Sequence, residues 1–229
     1  MRYGVINAEQ TEMDGLIEAM DADKISQISG KVFHHGKIGN VDVVVVNGGI
    51  GKVAAALTTT LLITNFGVDA VINSGSAGAL GTGLKIGDIV IASELAYSDA
   101  DARAFGYAFG QVPQQPARFV ADEELSAGLA AGFQNDEVKA VRGLIVSGDQ
   151  FMDSEAKKQA ILAHFPEVQS AEMEGAAVAQ IATHFDVPFA VVRAISDNAD
   201  GESAMAYDEF VVLAGRRSAQ VLIDFFASK

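Results

Sequence analysis

Gln169-Ser170-Ala171-Glu172-Met173-Glu174-Gly175-Ala176-Ala177-Val178-Ala179-Gln180-Ile181-Ala182 runs from a short strand into an Ala-rich helix, with two carboxylates at the seam. Side chains alternate along a strand, so Glu172 and Glu174 face one side and Met173 the other. Glu174 is expected in the first helical turn, where the macrodipole and unpaired N–H groups favour an anion. Taken alone, a first-turn acid needs no functional explanation. Its meaning depends on what other strands bring to the same edge.

Outward from this seam, apolar strands alternate with amphipathic helices, the pattern of an α/β domain. Met1–Asn7 reads as a buried strand, followed over 9–20 by an acidic helix with Met13, Leu16, Ile17 and Met20 inward. Residues 31–38 and 41–46 form a hairpin turning at Gly39-Asn40, and a helix covers 53–65. Strands are expected at 69–73, 85–92, 138–147 and 188–197, and helices at 119–133 (capped by Asp122), 154–164 and 207–226. The last helix should bury Phe210, Leu213, Val221 and Phe225. Ser74-Gly75-Ser76-Ala77-Gly78-Ala79-Leu80-Gly81 reads as a turn whose small residues let backbone approach a ligand. Residues 97–118 are aromatic and Gly-rich without periodicity, as at an interface or pocket rim. A flexible loop is expected over 199–206.

The 229 residues suit one domain, 1–229, large enough to bury a substantial core. With 16 basic and 30 acidic residues the formal charge is −14, which disfavours nucleic acid and anionic membranes as partners. A neutral or cationic small ligand fits better. There is no cysteine, and hence no disulfide, thiolate metal site or thiol nucleophile. The N-terminus lacks a basic region followed by an apolar segment, and no apolar run approaches the ~18 residues of a membrane span, so a cytoplasmic location is expected.

Chemistry gathers at the strand ends. Glu12 follows the first strand, Ser76 the strand at 69–73, and Asp197 closes the strand at 188–197. A buried Arg193 on that last strand calls for a carboxylate partner, with Glu12 and Glu174 as candidates. No metal site is expected, because His34 and His35 point to opposite faces and His164 and His184 lack ligand spacing. Ser76 has neither a nucleophile-elbow pattern nor a histidine to activate it. Gly51-Lys52 is no triphosphate loop, since Val46 and Val53 stand where Gly and Ser or Thr are needed. What remains is acid/base work by carboxylates: one ionised to hold water, another protonated to serve a leaving group. Glycosidic cleavage through an oxocarbenium-like transition state needs that division.

Together, Asn47-Gly48-Gly49-Ile50-Gly51-Lys52-Val53-Ala54-Ala55, Asn73-Ser74-Gly75-Ser76-Ala77-Gly78, Arg142-Gly143-Leu144-Ile145-Val146-Ser147-Gly148-Asp149, Ala171-Glu172-Met173-Glu174 and Val191-Val192-Arg193-Ala194-Ile195-Ser196-Asp197 resemble the bacterial 5'-methylthioadenosine/S-adenosylhomocysteine nucleosidases of the nucleoside phosphorylase superfamily. The likeness runs nearly end to end. It implies a three-layer α/β/α sandwich around a mixed, partly closed sheet, a homodimer, and no cofactor. The implied reaction hydrolyses methylthioadenosine and adenosylhomocysteine, with 5'-deoxyadenosine a further substrate, in methionine salvage and methyl-cycle recycling.

By the same likeness, Glu12 matches the base that positions water with Glu174 and Arg193, and Asp197 the acid that protonates adenine at N7, with Ser196 beside it. Ser76 orients ribose and catalytic groups, while Met173 and Glu174 bind the sugar. Phe151 stacks on adenine, Met152 contributes backbone contacts, and Gly78 and Ile50 line the pocket. Tyr207 stands beside the 5'-alkylthio group where Phe is common, and Ala102, Phe105 and Pro113 belong to the loop lent by the partner subunit. One departure is Asn7-Ala8-Glu9, where the family usually has Gly-Ala-Met. Glu9 thus places charge where an apolar wall is usual. Two other readings stay open: a phosphorylase using phosphate as nucleophile, and a nucleoside-binding sensor without turnover.

Overall fold

The computed structural model describes residues 1–132, 138–199 and 203–229, without the side chains of 132 and 203–209. In chain order its elements are β1 (Arg2–Asn7), α1 (Gln10–Ala19), β2 (Asp21–Ile28), β3 (Lys31–Ile38), β4 (Val41–Asn47), α2 (Lys52–Phe66), β5 (Ala70–Ala79), β6 (Ile89–Tyr97), β7 (Phe119–Val120), α3 (Glu123–Gly132), β8 (Ala140–Ser147), α4 (Glu155–Leu162), β9 (Ser170–Glu172), α5 (Gly175–His184), β10 (Phe189–Asp197) and α6 (Ser203–Ala227). Among the described residues no helix is long and apolar enough to cross a membrane.

The sheet is mixed and partly closed. β5 pairs with β10, β10 with β6, β6 with β8, β8 with β9, and β9 returns to β5, which completes a ring. From β5 a wing of β1, β4, β3 and β2 extends, and β7 adds to β6. The continuous apolar runs follow from burial on both faces. In β4, Val43 and Val45 pack towards α1, α3 and α6, while Val44 and Val46 pack towards α2 and α5. In β10, Val192 and Ala194 face the first group and Val191 and Ile195 the second. Helices therefore cover both sheet faces, in three layers.

Several sequence expectations shift. β5 does not end at Asn73 but runs to Ala79, because Ser74–Ala77 stay laddered to β10 and Gly78 and Ala79 pair with β9. The small residues are a strand squeezed between neighbours rather than a turn. The strand expected over 85–92 starts at Ile89, after a turn in which Asp88 accepts the Lys85 N–H at 2.8 Å, and continues to Tyr97. Phe119 and Val120 are the edge strand β7, and helix α3 begins at Glu123. Asp122 does cap it, accepting the Leu125 N–H at 2.9 Å; Phe133 lies outside the described residues. α6 starts at Ser203, so the expected loop is shorter, with 200–202 outside the described residues. Leu213 is 40% exposed, whereas Val221 and Phe225 are buried. β2, polar and largely exposed, has no apolar period to reveal it.

Candidate active site

The carboxyl ends of β1, β5, β9 and β10 meet around a cavity of about 400 Å³. Glu12, Ile50, Ser76, Gly78, Phe151, Met152, Met173, Glu174, Arg193, Ser196 and Asp197 all line it. The register explains the convergence: β1 and β10 both run parallel to β5, so their ends open on one side. The cavity is of the size that takes a nucleoside-sized ligand.

Glu12 sits in the first turn of α1, is 2% exposed, and is pinned from two directions. Its Oε2 accepts the Ala8 and Glu9 N–H groups at 3.0 and 3.2 Å, and its Oε1 accepts the Ser76 N–H and hydroxyl at 2.9 and 2.8 Å. Burial raises its pKa above the ordinary value, against the opposing pull of Arg193 and the Ser76 bonds. Gly75 makes this approach feasible, because a Cβ there would lie 3.0 Å from both Glu12 oxygens.

Asp197 ends β10 and is 2% exposed. The Ala199 N–H donates to its Oδ1 at 2.8 Å, and the Ser196 hydroxyl to its Oδ2 at 2.9 Å. A Cβ on Gly78 would come within 3.0 Å of the same Oδ1, so the acid is sterically fenced as well as hydrogen-bonded.

The seam at 172–174 differs from expectation. Helix α5 starts at Gly175, which puts Glu174 at the residue before it, and the Glu172 side chain is the one that takes the N–H groups at the helix start. Glu172 accepts the Glu174 N–H at 3.1 Å and the Gly175 N–H at 3.0 and 2.8 Å, and the Ser147 hydroxyl also donates to it. It is also the principal partner of Arg193, whose Nη2 donates to its Oε2. Glu174 Oε2 stands 3.8 Å from the same nitrogen. Sequence spacing named Glu12 and Glu174 as partners and left Glu172 out; a buried acid two residues from a named one was the available signal. Glu174 Oε1 accepts the Gly51 N–H at 2.9 Å. Its pKa is pushed up to about 8, by burial first and the Glu172 charge second, with Arg193 opposing.

Arg193 is 1% exposed and also donates through Nη1 to the Asn73 and Val192 carbonyls at 3.2 and 3.0 Å. Its Nε has no acceptor among the described residues, a buried donor that calls for water or a substrate oxygen.

The remaining expected residues are spread differently. Ile50 is 57% exposed at the cavity mouth, and Glu9 also lines the cavity. Ala102, Phe105 and Pro113 do not line their own chain's cavity. The Tyr207 side chain lies outside the described residues. Among the described residues there is no cluster of three or more His, Cys, Asp or Glu able to hold a metal ion.

The sequence pattern of the Phosphorylase superfamily matches residues 2–227. The 5'-methylthioadenosine/S-adenosylhomocysteine nucleosidase of Shewanella sediminis is 46% identical over 224 residues, 97% of each chain. This chain belongs to that nucleosidase family. Solved structures place the family member in close company. The Streptococcus pneumoniae nucleosidase with the transition-state inhibitor MT-ImmA superposes with a TM-score of 0.96 at 44% identity, covering 99% of both chains. A Weissella paramesenteroides protein, solved as a candidate methylthioadenosine nucleosidase, is 68% identical with a TM-score of 0.92, covering 100% of this chain and 97% of that one. The futalosine hydrolase of Helicobacter pylori is more distant at 35% identity, yet its TM-score is 0.94 over 100% and 98% of the two chains.

Proposed function

We propose that this nucleosidase-family chain hydrolyses the N-glycosidic bond of 5'-methylthioadenosine and S-adenosylhomocysteine, and of 5'-deoxyadenosine. The products are adenine and the corresponding 5-substituted ribose. The observation that carries this reading is the placement of two buried acids, Glu12 and Asp197, in different hydrogen-bond settings on one cavity.

Asp197 gives a proton to adenine N7, so the C1'–N9 electron pair leaves on a neutral base. Positive charge grows on the ribose, where the Glu12 carboxylate stabilises it. A water held between Glu12, Arg193 and Glu174 adds its oxygen to C1' and passes a proton to Glu12. Ser76 keeps Glu12 aimed. Met173 and Glu174 hold the sugar, Phe151 and Met152 the base, with Gly78, Ile50 and Ser196 completing the pocket.

Hydrolysis is favoured over phosphorolysis by the cations. Phosphate needs N–H-rich or cationic surroundings. The charge of Arg193 is answered by Glu172, Glu174 and Glu12, whose surplus of acid repels an anion, and Lys52 is tied to Asp99 at 2.6 Å, with Asp149 at 3.7 Å. Adenine release from methylthioadenosine, with and without phosphate, tests the reading. Phosphate-independent release of methylthioribose supports it, and a sugar 1-phosphate product overturns it in favour of the phosphorylase. Glu9 on the cavity wall favours the sensor as the second reading; adenosine binding with no adenine release would establish that one.

We also propose that the chain works as a homodimer in which the 102–113 loop of each subunit reaches the other's pocket. Val53, Leu57 and Phe105 expose 82%, 43% and 83% of their surface, an apolar area that a monomer would leave wet. Sedimentation equilibrium giving a monomer at micromolar concentration would refute this.

A further inference from the structure

Glu172 is a buried acid that the chemistry above does not use. Its side chain is 2% exposed, and four donors converge on it: Arg193 Nη2, the Ser147 hydroxyl and the N–H groups of Glu174 and Gly175. The elements that supply them are β10, β8 and the start of α5, so Glu172 ties the floor of the cavity together. For Glu174 one donor bond is seen among the described residues, from Gly51.

We propose that Glu172 is a positioning residue: it holds the Arg193 guanidinium on its own carboxylate, keeps it 3.8 Å from Glu174, and so decides which acid of the crevice carries the proton. The inference rests on the nucleosidase reading, in which Glu174 grips the ribose hydroxyls.

Three acids, Glu12 from α1, Glu172 from β9 and Glu174 before α5, face one buried cation, Arg193 of β10. Low-dielectric surroundings disfavour a surplus of negative charge, and the proton resides where donors are fewest. Glu172 and Glu12 each collect four donor groups, against the one donor bond seen for Glu174 among the described residues. Glu174 is the acid left to keep the proton. A protonated Glu174 donates to one sugar oxygen and accepts from the next hydroxyl, whereas an ionised one can only accept. Without the Glu172 charge, Arg193 has Glu174 as its partner acid. Glu174 then ionises more readily, and the guanidinium leaves the place where it holds water.

The experiment compares wild type with Glu172→Gln, Glu172→Asp and Ser147→Ala, measuring kcat and KM for methylthioadenosine from pH 5 to 9. In Glu172→Gln the titration that Glu174 governs should move towards acid by about one unit or more, whichever form is active, and kcat should fall about tenfold or more. Glu172→Asp keeps the charge and should keep the wild-type limb even if its rate drops. Ser147→Ala removes one donor from Glu172 and should shift the limb the same way by less, which keeps the idea testable if Glu172→Gln does not fold. Unmoved limbs in Glu172→Gln, or in Ser147→Ala should Glu172→Gln not fold, would make Glu172 a structural residue and overturn the proposal. Wild-type protein that releases no adenine would instead sink the nucleosidase reading.

Discussion

Replacing Glu12 by Gln probes the base while nearly preserving shape. In the folded protein Oε2 meets two backbone N–H groups, and Oε1 meets one N–H and one hydroxyl. A Gln amide nitrogen on the Oε2 side would face two donors. On the Oε1 side it faces only the Ser76 N–H, because the Ser76 hydroxyl can turn round and accept. The lower-cost rotamer therefore loses one charge-assisted bond, about 1.5–3 kcal/mol. Burial opposes the negative charge of Glu12, and a neutral amide removes that opposition. The two effects offset, so the net loss of stability should stay below about 2 kcal/mol, a fall in Tm of roughly 4–8 °C for a domain of this size. The loss of a proton acceptor is not offset, and kcat should fall by about 10²–10⁴-fold. Continuous measurement of adenine release, with thermal unfolding and binding of a non-hydrolysable adenosine analogue, reads all three quantities. A kcat within threefold of wild type would refute the assignment of Glu12 as base. Lost binding would mean that Glu12 holds the pocket together rather than the water.

Asp197→Asn keeps the Ala199 and Ser196 hydrogen bonds, since the Ser196 hydroxyl can reverse to accept from the amide, so folding and ligand binding should survive while turnover falls by orders of magnitude. A ribosyl substrate whose leaving group needs no protonation should be cleaved almost as fast as by wild type; equal losses on both substrates would remove Asp197 as the acid. Gly75→Ala puts a methyl 3.0 Å from both Glu12 oxygens and should lower kcat about tenfold or more with little change in KM, read by steady-state kinetics. Glu174 holds its proton more tightly folded than unfolded, so its contribution to stability is fully present below about pH 4.5 and is lost as pH rises towards about 8. Urea unfolding at pH 5 and pH 8.5 should therefore show a smaller loss of stability in Glu174→Gln than in wild type, and an equal loss would contradict the raised pKa.

How much of this was legible in the sequence depended on the kind of signal. Buried strands such as Val43–Val46 and Phe189–Ile195 carry hydrophobicity that nothing else imitates, and the acids at their ends mark the site's edge. β2 was invisible because an exposed strand has no face to hide, and it is held by its ladder to β3 rather than by burial. Ser74–Ala79 reads as a turn by composition, since the same small residues serve a loop or a strand crowded on both sides. Only the pairing with β10 and β9 distinguishes them.

Glu172 and Glu174 show why the finer chemistry stayed hidden. Two acids at positions i and i+2 are equivalent in a strand pattern, and either suits a helix start. The choice is made by where α5 begins and by Ser147, which comes from β8, 25 residues earlier. Ser147 also accepts the Ala176 N–H at 2.7 Å, so it links the Glu172 carboxylate to the helix start. That link holds Glu172 on the helix start and on Arg193, and leaves Glu174 on the cavity with one donor bond seen among the described residues. The division of labour between two chemically identical side chains is thus set by a hydroxyl that no local reading would connect with them.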